Sequence, residues 1–353
     1  MKSLIICLSL LLFIHVGSYC QSKEEKAYQK GQDAVKLMDT GRIDESLELL
    51  EEAQELDPKN STYPYEMAYA YCLKEDYKEA LKILRKLEKH KDATDLIYQM
   101  AGNCYDYLGK SKDAIKTYEK GLKKFPDSGC LHLELGIMKM KEGLYNEALS
   151  FFEKGINSDP AFPSNYYWAT KLYCDSDEEV WGMIYGELFM NLERNSKRTV
   201  EISELLYNTY KSEIKILGDS AKTVSFSKNA IINQDNFRLP YGMGIYEPIL
   251  LRSILSVQEI NIKSLNNIRT GFINHYFERG LEKMYPNALF SYQDKIRKAG
   301  HMEAYNYWIL MQGDTNEFVT WKSDNEAKWD NFVEWFTTNP LKITTKNKFV
   351  RHD

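Results

Sequence analysis

The stretch YQMAGNCYDYLGKSKDAIKTYEKGLKKFPDS, residues 98–128, sets two small residues, Gly102 and Ala114, among aromatics and lysines and closes on Phe125 and Pro126. Taken alone it carries no chemistry. Moved along the chain in steps of 34 residues, it meets itself. In a frame that begins at Ala27, the eighth place holds Ala34, Ala68, Gly102 and Gly136, and the fifteenth holds Gly41, Glu75, Gly109 and Gly143. The twentieth holds Ser46, Ala80, Ala114 and Ala148, and the thirty-second holds Pro58, Asp92, Pro126 and Pro160. Columns of this kind, kept without an insertion, are the mark of a repeat architecture. Small residues at places eight and twenty let two antiparallel helices approach. Leu50, Leu84, Tyr118 and Phe152 at place twenty-four fill the space beside them. Glycine near place fifteen ends the first helix in the left-handed region, and proline at thirty-two stops the second. Each helix pair leaves an apolar face that only the next pair covers, so the units stack.

These columns resemble the tetratricopeptide repeat family over about residues 27–160. A fifth, degenerate unit follows from Pro163 (PSNYYWATKLYCDSDEEVWGMIYGELF), where Ala169, Tyr173, Trp181 and Tyr185 continue the helical spacing. The resemblance implies an all-α fold: a helical-hairpin solenoid of four to five repeats near 27–60, 61–94, 95–128, 129–162 and 163–195. A mostly helical C-terminal domain, or alternatively a degenerate continuation of the solenoid, is expected over 196–340, with a frayed tail at 341–353. It also implies an interaction scaffold whose concave groove is lined by places two, five, nine, twelve and thirteen of each first helix. Those places hold Tyr65, Tyr69 and Leu73 in the second unit and Gln99, Asn103, Asp106 and Tyr107 in the third. In the fourth they hold Leu133, Ile137, Met140 and Lys141. An aromatic and aliphatic groove with a few polar groups suits an extended peptide or a helix. In related arrays an Asn at place nine holds a peptide backbone, and Asn103 stands there. The lysine of the chaperone-binding members is missing, since place five reads Gly31, Tyr65, Gln99 and Leu133.

At the N-terminus, Lys2 precedes an apolar run from Leu4 to Val16, and small residues follow at Gly17, Ser18 and Cys20. This reads as a secretory signal peptide cleaved after Cys20, too short for a comfortable membrane span. Its removal takes Lys2 with it, moving the net charge from −5 to −6. An acylated Cys20 is the lipid-anchored alternative, with Tyr19 standing where a lipoprotein wants a small residue. The expected location is therefore periplasmic or secreted, with membrane tethering only through a lipidated Cys20. The make-up is similar to exported repeat proteins of the Bacteroidota. An acidic chain without a basic patch is no nucleic-acid binder.

Beyond residue 198 the period fades. TVEISELLYNTYKSEIKIL places Ile202, Leu205, Leu206, Tyr210 and Ile214 on one helical side, and residues 218–242 read as an irregular link or short hairpin. Residues 246–275 and 280–298 read as helical, and Ser323 with Glu326 reads as a capping box opening a last helix. No metalloprotease, nucleophile-elbow, phosphate-loop or dinucleotide motif occurs, so no catalytic residue, metal or cofactor is expected. A hydrolase within 196–340 would have no motif behind it. Asp175, Asp177 and Glu179 mimic a calcium loop, but Val180 stands where the glycine is required, so Ser176 and Glu179 read as another capping box. Cys72, Cys104, Cys130 and Cys174 lack metal spacing and read as small, partly buried apolar residues. Cys104 and Cys130 are the pair an oxidising compartment would join first. A glycan-binding alternative rests on Trp308, Trp321, Trp329 and Trp335, whose helical spacing equally suits core packing.

Overall fold

In the computed structural model, which describes residues 22–217, 221–228, 232–233, 236–237 and 239–351, the repeat frame is a run of helices. The signal segment and Cys20 lie outside the described residues. The chain divides into two compact units, one ending at Ala93 and one beginning at Thr94.

The first unit holds two hairpins: α1 (Lys23–Asp39) with α2 (Ile43–Leu56), and α3 (Thr62–Leu73) with α4 (Tyr77–Leu87). The second holds α5 (Asp95–Tyr107) with α6 (Ser111–Lys124), α7 (Gly129–Lys141) with α8 (Tyr145–Ser158), and α9 (Pro163–Tyr173) with α10 (Glu179–Leu192). Place fifteen is the turn that sequence reasoning assigned to it. Gly41, Gly109 and Gly143 have φ of 79°, 71° and 76°, and Glu75 is forced to 60° in the same turn. Each of these residues lies two positions before the second helix of its hairpin.

Places eight and twenty-four are matched in size. A Cβ on Gly102 would lie 2.1 Å from the Tyr118 ring, and one on Gly136 would lie 2.3 Å from the Phe152 ring. Where the eighth place is alanine, at Ala34 and Ala68, the twenty-fourth is the smaller Leu50 or Leu84, and all four are fully buried. The fifth hairpin inverts the order. Thr170 takes the eighth place and Gly186 the twenty-fourth, and a Cβ on Gly186 would meet Thr170 Cγ2 at 3.0 Å. In the first four hairpins the combined size of the two places is thus nearly constant, as close packing requires, and in the fifth the space is filled from outside the hairpin by Leu206, whose Cδ2 would lie 2.8 Å from a Gly186 Cβ.

The 34-residue register extends one helix beyond the fifth unit. In α11 (Lys197–Glu213), Arg198 Nη1 donates to Ser164 Oγ at 3.1 Å, and Glu201 accepts from the Tyr167 hydroxyl at 2.5 Å and from Lys171 Nζ at 2.6 Å. Ser164 and Arg198, like Tyr167 and Glu201, are one repeat length apart, so α11 stands as the first helix of a sixth unit. Beyond it, β1 (Ile214–Ile216), which the sequence pattern assigns to the end of the helix, pairs antiparallel with β2 (Lys222–Val224), and β3 (Ile232–Asn233) pairs with β4 (Asn236–Phe237) inside the link. A π-helical turn at Gly242–Tyr246 runs into α12 (Glu247–Ser253). Then come α13 (Ile262–Glu278), α14 (Leu281–Met284), α15 (Ala288–Lys298), α16 (Met302–Ile309), α17 (Thr315–Asp324) and α18 (Glu326–Thr338).

One hydrophobic core runs from Leu133 to Val350, so the last hairpins and the C-terminal helices share it. At its centre Glu187 of α10 meets Arg269 of α13, with side chains 5% and 3% exposed. The Glu187 carboxylate accepts from Arg269 Nη2 at 2.8 Å and from Gln293 Nε2 at 2.7 Å, and Arg269 Nε donates to Asn306 Oδ1 at 2.8 Å. Burial works against the guanidinium charge, and Glu187 overrides it and holds Arg269 protonated. A buried pair so fully hydrogen-bonded specifies which helices meet more than it adds stability.

Three local expectations are corrected. Ser323 lies inside α17, and α18 starts after Asn325 with no side-chain cap, so the Ser323–Glu326 box does not form. Ser176 closes the preceding helix, donating to Tyr173 O at 2.8 Å, and α10 begins without a side-chain cap. The segment 341–351 is not frayed. Leu341, Ile343 and Val350 are buried, because a few apolar residues spread among lysines reach the shared core without forming any regular element.

Candidate functional site

The residues proposed to line the groove fall in both units. In the first, α3 presents Tyr69 at 44% and Leu73 at 45% exposure, with Tyr65 half-buried beside them. In the second, α5 and α7 lie side by side as the first helices of their hairpins, and their facing residues are bonded to one another. Gln99 Nε2 donates to Glu134 Oε1 at 2.8 Å. The Tyr118 hydroxyl, reaching past Gly102 from α6, donates to Asn103 Oδ1, and Lys141 pairs with Asp106. Beside these polar contacts stand Tyr107, 69% exposed, and the half-buried Ile137 and Met140.

The structure therefore sorts the sequence-predicted residues. Tyr107, Ile137 and Met140 share a face with Gln99, Asn103 and Asp106 in the second unit. Leu133 is 7% exposed and part of the large core, and Ile137 and Met140, on the same side of α7, pack half-buried against that core as well. Asn103 accepts from Tyr118 at Oδ1 and its amide group is hydrogen-bonded to Glu134, so a second amide N–H and a second carbonyl lone pair are what it can offer a peptide backbone.

Sequence reasoning missed Glu134, which stands one place beyond the groove position held by Leu133. Burial raises its carboxyl above the ordinary range, and the Gln99 and Asn103 side chains act in the opposite direction. A carboxyl fixed between two amides can accept a hydrogen bond when ionised and donate one when protonated. The continuation of the face onto α9 was missed as well. There Lys171 lies over the Tyr167 and Trp168 rings, each 5.3 Å from the centroid, and is tied to Glu201. Polar residues one repeat length apart, Ser164 with Arg198 and Tyr167 with Glu201, were the available signal.

Other candidate chemistry is placed in packing. Trp308 and Trp321 are 6% and 8% exposed, Trp321 stacks on Tyr307 at 4.2 Å, and Trp329 and Trp335 pack against the same core. Glu179, from the sequence that mimics a calcium loop, is buried and bonded to Lys228 at 2.6 Å. Among the described residues no cluster of three or more His, Cys, Asp or Glu could hold a metal ion, and no helix is long and apolar enough to cross a membrane. Cys72, Cys104, Cys130 and Cys174 are thiols, with no disulfide among them. Cys130 Sγ lies 3.2 Å from Ser128 Oγ, and burial pushes its thiol up to about 12. An open cleft of about 810 Å³ lies between the first turn of α15 and residues 338–348, with Lys295, Lys342 and Lys346 in its lining.

Helical pairs of this length, turn geometry and spacing define the class: an all-α array of tetratricopeptide type. Within it, residues 39–121 match the family model described as anaphase-promoting complex, cyclosome, subunit 3. Among solved structures the chain is similar to TTC0263, a thermophilic TPR protein of Thermus thermophilus, with 17% identity over 51% of this chain and 98% of that one, TM-score 0.43. It is similar to pilF of Pseudomonas aeruginosa, with 17% identity, 54% and 85% coverage and TM-score 0.44. It is also similar to YrrB, described as a TPR protein with an unusual peptide-binding site, with 21% identity, 49% and 89% coverage and TM-score 0.33. These likenesses concern the fold of about half of this chain.

Proposed function

We propose that this protein is an exported, non-enzymatic scaffold that holds a peptide segment of a partner protein on the first-helix face of its second unit. The observation that carries the reading is the face itself. The exposed Tyr107 and the half-buried Ile137 and Met140 stand beside polar side chains held in place by the Gln99–Glu134, Tyr118–Asn103 and Asp106–Lys141 contacts. An apolar strip flanked by pre-positioned hydrogen-bonding groups is what peptide recognition requires, since ordering costs are met before binding. For the first unit taken by itself, Tyr65 and Tyr69 of α3 are proposed as partner-contacting residues. The peptide-binding description of YrrB agrees with this kind of role. Export is proposed from the N-terminal segment, with lipid anchoring through Cys20 as the variant form.

The test is a pull-down from the native cell with wild type, with Tyr107→Ala plus Met140→Ala, and with Lys112→Ala on the exposed side of α6 as control. Partners retained by wild type and by the control but lost by the double variant support the face. Identical partner lists from all three proteins remove it.

A further inference from the structure

The segment 341–351 is seated on the fifth hairpin in a way that a core strand or helix is not. After the buried Ile343, residues 344–347 form an exposed turn closed by bonds of the segment itself, Thr344 N to Asn347 Oδ1 at 2.7 Å and Asn347 Nδ2 to Lys342 O at 3.0 Å. Residues 349–351 make the specific contacts. The Phe349 ring stacks on Trp181 at 5.4 Å and 23°, and its centroid lies 5.3 Å from that of Tyr241. Val350 is buried. Arg351 donates from its backbone N–H to the Tyr185 hydroxyl at 3.0 Å and from Nη1 to the Tyr173 hydroxyl at 3.1 Å.

The seat is assembled by the array. Tyr185 is fully buried and packs against the rings of Tyr166, Tyr173 and Trp181. The Tyr173 and Tyr185 hydroxyls both donate to Glu153 Oε1, at 2.7 and 3.3 Å, which orients their oxygens as acceptors toward an incoming cation and strengthens them in that role. An aromatic wall backed by a carboxylate is complementary to a segment carrying one ring and one guanidinium, and both of those groups gain from tyrosine and tryptophan faces.

We propose that this seat is a second peptide-binding site, recognising an extended aromatic, β-branched, arginine sequence, and that residues 349–351 occupy it in cis. When they leave, an external segment with the same three side chains takes their place. The site uses none of the residues of the α5–α7 face and stands whether or not that face binds a partner.

The experiment is fluorescence anisotropy of a labelled peptide with the sequence of residues 344–351 (TTKNKFVR) against the full chain and its Phe349→Ala plus Arg351→Ala variant. A peptide with alanine for its phenylalanine serves as control. A tethered segment competes at an effective concentration on the order of millimolar, so emptying the seat should tighten peptide binding at least about tenfold over wild type. The alanine peptide should bind neither protein. The proposal is overturned if the variant keeps its helical circular dichroism yet binds the peptide no better than wild type. It is equally overturned if the variant unfolds, since residues 349–351 would then be part of the folding core and not a ligand of it.

Discussion

Replacing Gly136 by alanine pits two effects of known sign against each other. Alanine is the better helix former by about 0.8–1.0 kcal/mol in an exposed helix interior. In this structure, however, the added Cβ would lie 2.3, 2.7 and 2.9 Å from Cε1, Cδ1 and Cζ of Phe152, a residue with no exposed surface. Overpacking of this kind costs about 1–3 kcal/mol, so the net expectation is a loss of roughly 0–2 kcal/mol. The first two hairpins name the remedy, because Ala34 and Ala68 are paired with Leu50 and Leu84. Phe152→Leu alone leaves a gap and costs on the order of 1–2 kcal/mol. Together, Gly136→Ala and Phe152→Leu recreate the pairing of the earlier repeats, and their combined effect should fall short of the sum by about 1 kcal/mol or more. Urea denaturation of the four proteins, followed by far-ultraviolet circular dichroism with midpoint and slope both fitted, gives the cycle. Additive effects, or a Gly136→Ala protein more stable than wild type, would refute the reasoning.

Other outcomes follow from the same geometry. Glu75→Gly, at the one non-glycine residue with positive φ among the described residues, relieves a left-handed backbone and should raise stability by about 0.5–1 kcal/mol; a lowered urea midpoint would contradict this. Arg269→Met leaves Glu187 buried without its partner and should cost about 3–5 kcal/mol, whereas Arg269→Met with Glu187→Met should recover most of that loss, as read from the same denaturation curves. Glu134 has a raised carboxyl pKa in the folded chain, so the folded state favours its protonated form. Its contribution to stability is present below the unfolded value and is lost as pH rises through the folded one. Glu134→Gln should therefore melt above wild type at neutral pH and alike near pH 3, and a constant difference across that range would show that the carboxyl does not titrate as described.

The fold was legible because helix pairing leaves a chemical trace. A ring at Tyr118 or Phe152 requires a glycine opposite, a tight interhelix turn requires positive φ, and both recur at fixed spacing. The groove was legible only as a set of places. Position within a repeat says which residues face inward, but burial of Leu133 depends on how α9 and α10 continue the stack, and that continuation was the weakest part of the pattern. The inward role of Glu134 is a matter of hydrogen bonding to α5 and has no periodic signature. At the C-terminal end the apolar residues of 341–351 are too few and too unevenly spaced to show a period, so their seat could be read only from the tyrosines that receive them. Glu317 illustrates the same limit. Its carboxylate accepts from the backbone N–H groups of Ile262 and Lys263, at 3.0 and 2.7 Å, capping a helix about fifty residues away in the chain.

The most direct measurement is site-specific photocrosslinking in the native cell. The full chain would carry a photoreactive phenylalanine in place of Tyr107, Met140 or, as control, Lys112, with adducts identified by mass spectrometry. A peptide-holding face on α5 and α7 predicts the same partner polypeptide joined at Tyr107 and Met140 and absent at Lys112. Adducts that are missing from both sites, or equally abundant at all three, would contradict it.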